Sequence, residues 1–586
     1  MPFWAIKTTI LFIYYFVSHI NINYSQAFAF VPRPNNDNTR RRQLLVATTK
    51  EEEETIKQQE QQPKRDWLHN SMGLAASTTL FPKKEQDDDT TKTTTKRKKE
   101  GKNNKYSQEW VDVVDQYVKG TLDPSYLHYP IRGSTVNAAL LYPTENDDNN
   151  YLLPGTHKHL GGVQDPTDGC IYGVPANAHS ILCLYPNDTN DDGSSPYAMK
   201  NIPLPPAIRK RQYKWLRGLI TNGNLWAIPA WANAVLCVDL DAYWGRKSKS
   251  VALKEEEEEE EENAVQLIPL PENHPNEMRW QWHGGALNQE QTAIYCVPSN
   301  AKHVLKVDII NKTTSLIDIE YDEQVYPDFT LDVANKWYGG IVGSGDNCIY
   351  GSPYRASGIL RIDPSTDTAA MIGPNYGVGK YFWHGGIERG GKIYALPSHA
   401  DTVLVIDTNS NSTTLPVISE LPIPNLNNET TDAKQNYKWL GGAVGADGHI
   451  YCPACDTSQV LKINVTTDTC ETFGFAGSEK NKWQGGILSS RDNCIYCIPA
   501  NGKHVCRIAT DPSITKEGED QSQQQPIIQL IGDLPPHKDK WQGAAEGTDG
   551  SLYFIPENGY RVMRVTPPEK PPTVDINGKL PENDVM

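Results

Sequence analysis

Eight copies of one cassette constrain this chain more than any other feature of it. Each copy reads close to Trp-x-Gly-Gly, then Gly-x-Ile-Tyr-x-x-Pro, then Val-Leu-x-Ile-Asp. The cleanest begins at Trp483 and runs through Gly485, Gly486, Ile495, Tyr496, Pro499, Val505 and Ile508. The others centre on Gly161 and Gly162, Gly218, Gly284 and Gly285, Gly339 and Gly340, Gly385 and Gly386, Gly441 and Gly442, and Gly543. A repeat of roughly 45–60 residues made of short strands is the signature of a β-propeller. The expected fold is all-β, a ring of eight blades with seven as the alternative, over residues 130–572, followed by a tail over 573–586.

Within a blade, Trp-x-Gly-Gly begins the first strand. Asp-Gly pairs at Asp168-Gly169, Asp447-Gly448 and Asp549-Gly550 have the chemistry of two-residue hairpins. Ile-Tyr-x-x-Pro is the second strand, stopped by its proline. Val-Leu-x-Ile-Asp is the third, and a Thr-rich stretch such as 313–319 the fourth. The glycines are expected where blades crowd near the axis and leave no room for Cβ, and the Trp between neighbouring blades. The last cassette has little room for a fourth strand, so 136–153 is expected to supply that edge and close the ring.

The pattern resembles the kelch-like group of propellers, where a Gly-x-Ile-Tyr strand also precedes a Val-x-x-Tyr-Asp strand. It departs from kelch in carrying Pro175, Pro298, Pro397 and Pro499 where kelch repeats have Gly-Gly. It is more similar to algal repeat proteins with the same cassette, which bring no function with them. The repeat number matches eight-bladed quinoproteins, but their tryptophan-docking pattern is missing. The resemblance implies a fold and no more.

The N-terminus reads as an address. Lys7 precedes an apolar stretch, 10–17, too short to span a bilayer, and Ala27-Phe28-Ala29 is a cleavage motif, giving a signal peptide over 1–29. Phe30 followed by Arg33, Arg40, Arg41 and Arg42 is similar to the bipartite presequences of algae with secondary plastids. A plastid address through the secretory pathway is expected, with secretion or an endomembrane lumen as the alternative. Asn-x-Thr triplets at Asn187, Asn311, Asn411, Asn428 and Asn464 suit the secretory route, although polar turns explain them equally. Residues 30–105 combine the transit segment with a low-complexity stretch expected to be disordered. Trp110, Val113, Val114, Tyr117 and Val118 form one apolar stripe of a short helix over 106–122.

The formal charge of −16 excludes a general nucleic-acid binder, because no basic surface is present to neutralise phosphates. Part of the acidity is the run 255–262, read as a solvated loop, with a cation- or partner-binding segment as the sharper alternative. No transmembrane span is expected in the mature chain, and the ring is expected to be a monomer. No nucleophile elbow, phosphate loop, His-Glu-x-x-His or nucleotide fingerprint occurs.

Comparing the copies with each other separates scaffold from candidate site. The residue after the second glycine is apolar in every copy. If side chains alternate along the first strand, the opposite face carries His283, His384 and Gln542 before the glycines, and Glu388 and Glu546 four residues after them. These five are the candidate axial site, for a polar patch or, at most, a divalent cation. The competing reading is a hydrogen-bonded or water-filled channel. The loops after the second strand emerge on one face and differ between copies. Asn177, Trp231, Asn300, Arg355, His399, Asn501, Asn558 and Arg561 are the candidate binding residues there, because a rigid scaffold presenting variable loops is how propellers bind. Lysines before the Trp (Lys158, Lys214, Lys336, Lys438, Lys482 and Lys540) form either a basic ring or, more simply, a set of solvated side chains. Of eleven cysteines, Cys494 and Cys497 should point to opposite faces of a strand, while Cys452 and Cys455 flank a proline turn. The resulting expectation is a binding or scaffold module whose loop face takes a protein, glycan or small ligand. The alternative is a propeller enzyme of hydrolase, lactonase or lyase type with an axial metal or acid/base pair.

Overall fold

A computed structural model describes residues 155–186, 197–245, 264–275, 278–409, 415–424, 426, 436–510, 528–532, 534, 538–559 and 561–568, with the strand backbone of 137–140. The leader, the transit segment, the helix over 106–122, the acidic run over 255–262 and the tail over 573–586 lie outside these residues, as do Asn187, Asn411 and Asn428.

Eight sheets form the blades, each running outward from its Trp-x-Gly-Gly strand; all pairings are antiparallel except in blade 4, where Ile319–Glu320 adds a short parallel strand beside Thr368–Ile372. The innermost strands are His159–Gln164, Trp215–Thr221, Trp282–Leu287, Trp337–Val342, Trp383–Arg389, Ala443–Val444, Trp483–Leu488 and Trp541–Glu546 for blades 1 to 8. Blade 8 has three strands from the C-terminal cassette, and its fourth is Asn137–Leu140, paired antiparallel with Met563–Thr566. The two ends of the chain thus close the ring in one sheet, which removes the free edge of an open array. No helix among the described residues is long and apolar enough to cross a membrane.

The cassette works because its second strand is buried on both faces. Ile171 packs toward blade 8 and Tyr172 toward blade 2; Ile294 and Tyr295, Ile393 and Tyr394, and Ile495 and Tyr496 divide in the same way. Eight buried clusters result, one in each gap between blades. The Trp of a blade enters the gap in front of it, as Trp215 does among Tyr172, Val174 and Leu236. Its indole Nε1 donates to a carbonyl at the start of the third strand, from Trp215 to Ala234 at 2.8 Å, Trp337 to Gly358 at 2.7 Å and Trp483 to His504 at 2.9 Å. His159 holds this position in blade 1. At Gly284, Gly441 and Gly543 the first glycine meets a glycine of the next blade: a Cβ on Gly284 would lie 2.0 Å from the Gly339 carbonyl oxygen. The crowding expected from the sequence is therefore a backbone-to-backbone contact between blades.

Two expectations need correction. The Asp-Gly pairs do not make two-residue hairpins, because Val444 pairs with Ile450 and Glu546 with Leu552. In these longer loops the aspartate closes an Asx turn, as Asp447 does by accepting from His449 N at 3.1 Å. Two-residue turns occur at Asn222-Gly223 and Gly390-Gly391, all four residues with positive φ. The second correction concerns alternation along the first strand. Trp383 pairs with Pro397 but Gly386 pairs with Ala395, so one extra residue is inserted at the glycines. The same bulge recurs in six other blades. A bulge resets the alternation, so a residue before the glycines and one four positions later do not share a face.

Candidate functional site

The loop face is organised by residues on both sides of the Trp. The residue two positions before it has φ near +50° in every blade: His157, Tyr213, Trp280, Asn335, Tyr381, Tyr437, Asn481 and Asp539. This conformation is common for Asn and Asp and costly for aromatic residues. Each carbonyl of this ring accepts from the second residue of the loop after strand two, as His157 O does from Asn177 N and Tyr381 O from His399 N. The residue just before the Trp donates its N–H to the loop of the preceding blade, in all eight blades and across the closure, where Lys158 N meets Glu557 O at 3.0 Å.

This frame gives the predicted loop residues two different roles. In five blades the residue is Asn or Asp, and its Oδ1 accepts the N–H of the left-handed residue in the next blade. Asn177 accepts from Tyr213 at 2.6 Å, Asn300 from Asn335 at 2.7 Å, Asp456 from Asn481 at 2.7 Å, Asn501 from Asp539 at 2.8 Å and Asn558 from His157 at 2.6 Å. Asn177, Asn300, Asn501 and Asn558 are therefore links between blades. Trp231, Arg355 and His399 stand at the same position without that link. Trp and Arg have no suitable acceptor, and the His399 ring packs instead between Tyr381 and Tyr437. Arg561 is buried, and its carbonyl accepts from Trp541 Nε1 at 2.9 Å.

The three departures are surrounded by rings. Trp231 packs on Tyr213 at 4.6 Å and edge-on to Trp280 at 5.8 Å, with Arg279 over its face at 4.6 Å. Arg355 covers Tyr381 at 5.0 Å, and His399 lies between Tyr381 (5.3 Å) and Tyr437 (4.7 Å). Trp231, Arg355, Tyr381, His399 and Tyr437 are half-buried. Beneath them is a fully buried layer: His283 stacks on Tyr338 at 3.7 Å, Tyr338 on Tyr354 at 4.2 Å, and His384 stands edge-on to His283 at 5.8 Å and Tyr338 at 5.0 Å. Tyr354 also breaks type, standing where most blades have Ala or Ser.

Buried polar atoms without partners collect in the same region. They include Trp231 Nε1, Trp280 Nε1, Arg355 Nε and both ring nitrogens of His283. Buried polar groups are normally satisfied, so such a cluster needs a partner. Burial, with the Arg217 charge added, holds the His384 imidazole down at about 3. Burial, then the neighbouring His384 and Arg217, holds His283 well below its ordinary value. Both rings are neutral at physiological pH, and burial with Lys438 lowers His399 to about 4.

The opposite side of the mouth is acidic. Glu557, which with Cys455 also departs from Ala or Ser at the Tyr354 position, is buried, and its Oε1 meets His157 Nδ1 at 2.6 Å. Burial pushes its carboxyl up to about 7. Asp539 is also raised by burial, and its Oδ1 accepts from Asn481 Nδ2 at 3.0 Å.

Of the five axial candidates, the structure brings His283 and His384 together and separates the rest. Glu388 lies at the hairpin end of its strand, where its Oε1 accepts from Ser344 Oγ and from Gly391 N, both at 2.7 Å. Glu546 likewise accepts from Ser490 N at 2.8 Å and Ser490 Oγ at 2.9 Å in the preceding blade. These glutamates clasp hairpins of neighbouring blades. Gln542 lies in blade 8, and its Oε1 is buried without a partner. Among the described residues, no group of three or more His, Cys, Asp or Glu side chains is placed to hold a metal ion.

The lysines before the Trp are buried, so solvation does not explain them and they form no basic ring on the surface. Lys214 Nζ donates to the Ala178 and Arg211 carbonyls, and Lys482 Nζ to those of Cys455, Thr457 and Glu479. In blade 3, Gln281 Nε2 does the same to Ala232 O at 2.9 Å. All eleven cysteines are free and buried. Cys494 and Cys497 belong to different inter-blade clusters, and burial raises the thiols of Cys452 and Cys455.

Sequence reasoning missed the left-handed ring, the buried stacking of Tyr354, the role of Glu557, and Arg217. The last was legible: Trp215-Leu216-Arg217-Gly218 has Arg where the other seven copies have the first glycine.

No protein-family model matches this chain, and no curated protein does. Among solved structures it is similar to a streptogramin B lyase, at 14% identity over 71% of this chain and 95% of that one with a TM-score of 0.38. It is also similar to virginiamycin B lyase from Staphylococcus aureus (13%, 60% and 93%, TM-score 0.38) and to apo AztD from Citrobacter koseri (11%, 69% and 97%, TM-score 0.37). At these identities and TM-scores the likeness carries no argument about this chain.

Proposed function

We propose that this protein is a ligand-binding propeller that takes a small molecule with a ring able to stack on an aromatic face, an aromatic ring or the CH face of a sugar, at the loop-face mouth of its channel. One observation carries the reading. The three loop positions that lack the Asn link, Trp231, Arg355 and His399, are half-buried and set against aromatic rings, Tyr213 and Trp280 for the first and Tyr381 for the other two. Flat faces favour offset stacking and CH contacts with a ring, and the unpartnered donors of Trp231, Trp280 and Arg355 would fix its orientation, as a few polar groups do in an apolar site. The test is titration of aromatic compounds and sugars, followed by indole fluorescence. Trp231→Ala and Tyr381→Ala should weaken a hit about tenfold or more, the value of one good stacking contact, while Asn501→Ala should not. Equal losses in all three variants would sink the reading.

A catalytic reading has one observation in its favour: Glu557, close to half-protonated near neutral pH and bonded to His157. Perturbed carboxyls of this kind serve as general acids or bases. Under this reading Glu557→Gln abolishes any turnover found by screening esters and lactones, while binding survives. Turnover that persists in Glu557→Gln would refute it.

The proposed compartment is the plastid, reached through the secretory pathway, on the strength of the leader sequence. Fusing the first fifty residues to a fluorescent protein tests it, and delivery to the medium or an endomembrane lumen would overturn it.

A further inference from the structure

Arg217 is the one non-glycine residue at the first-glycine position of the eight cassettes. It has φ of +65°, in line with Gly161 (+100°), Gly284 (+91°) and Gly485 (+85°) in other blades. Seven blades use the residue that adopts this conformation without strain, and blade 2 holds a long cation in it. The backbone of Arg217 lies against the inner strand of blade 1, its Cα 3.6 Å from where a Cβ on Gly161 would be. Its side chain is open to solvent but surrounded by protein, as expected of a group projecting into the channel. Among the described residues, no carboxylate, carbonyl or hydroxyl bonds its guanidinium. Its charge reaches both His283 and His384, and His283 is buried with neither ring nitrogen partnered. A guanidinium with no counter-ion between low-dielectric walls focuses a positive potential, and its planar fork suits carboxylate and phosphate. A neutral imidazole can add one N–H donor.

We propose that the channel holds an anion-binding subsite in which Arg217, with His283 beside it, receives the carboxylate or phosphate of the ligand. This rests on the ring-binding reading for the rest of the ligand: the ring lies against the aromatic mouth and the acid group reaches down the axis. Arg217→Gly is the natural variant for the test, because it restores the residue of the other seven blades and relieves a left-handed backbone, so it should fold at least as well as the parent.

Calorimetric titration of the intact protein with phenyl phosphate, benzoate and phenol, together with 31P line broadening of inorganic phosphate, decides the matter. Both ring anions should bind at least tenfold more tightly than phenol. Arg217→Gly should reduce them to the level of phenol without changing phenol itself, and Arg217→Lys should restore part of the difference. Inorganic phosphate should broaden with the parent and not with Arg217→Gly. If the two anions bind no better than phenol, or keep their advantage in Arg217→Gly, the subsite is refuted while ring binding stands. If phenol does not bind but phosphate broadening still depends on Arg217, the ring reading fails and the anion site stands. If none of the four probes responds, both fail.

Discussion

Blades 5 and 7 share a cassette and differ at one loop position. Asn501 of blade 7 accepts the Asp539 N–H of blade 8 and so ties two blades together. His399 of blade 5 makes no such tie and lies instead between the rings of Tyr381 and Tyr437. Blades 1, 3, 6 and 8 follow blade 7, and blades 2 and 4 follow blade 5. The comparison teaches that loop variety is not itself a sign of function. Most of the polar loop residues are joints, and the informative positions are those where the joint is missing.

The comparison holds only if the blades are equivalent below the loops. Trp383→Ala and Trp483→Ala each remove a wedge and strand a carbonyl, that of Thr402 or of His504. Each should cost about 3–5 kcal/mol in denaturant unfolding, and a difference well beyond that spread would show that the two sets of blades are not built alike. Next in size is Lys336→Met, which leaves the Ser299 and Val333 carbonyls without their Nζ donor, at about 2–3 kcal/mol.

Asn501→Ala should cost about 1–2 kcal/mol by leaving the Asp539 N–H without its partner, with ligand affinity unchanged. Trp231→Ala should do the reverse. His399→Asn sharpens the comparison further, because it offers an acceptor to the Tyr437 N–H while removing a ring. Weaker ring binding is expected, and ring binding left unchanged would show that the His399 ring takes no part in it.

A pH dependence reads the same burial from the side of protonation. Burial lowers Lys158, Lys336 and Lys540 from the ordinary 10.5 to about 7. Between these values the unfolded chain binds more protons, so the lysines make stability rise from pH 7 toward 10.5. Glu557, raised from 4.5 to about 7, acts in a separate window, where stability falls as pH rises from 4.5 to 7. Denaturant midpoints across pH 5–10 should show both slopes, and Lys336→Met should flatten only the upper one.

Much of the scaffold was legible because it repeats. The Trp, the glycines and the Ile-Tyr strand are uniform, and eight copies fix what each must do. Strand alternation failed for His384 and Glu388 because the bulge at the glycines is a property of pairing, and pairing partners lie across the sheet. The lysines misled for a related reason. Six Lys beside five Trp and His159 look like solvated flanks in one dimension, but carbonyls close over their ammonium groups, some three residues upstream, as Arg211 and Glu479, and others from the preceding blade, as Ala178 and Cys455.

The sequence by itself determined the ring, its cassette and the closure of its ends, because periodic burial of apolar residues has few other solutions. Only the tertiary structure decided which polar residues are joints and which are open to a ligand. That distinction depends on contacts between blades, made by residues some 25 to 60 apart or, for His157 and Asn558, 401 apart, which no local pattern encodes.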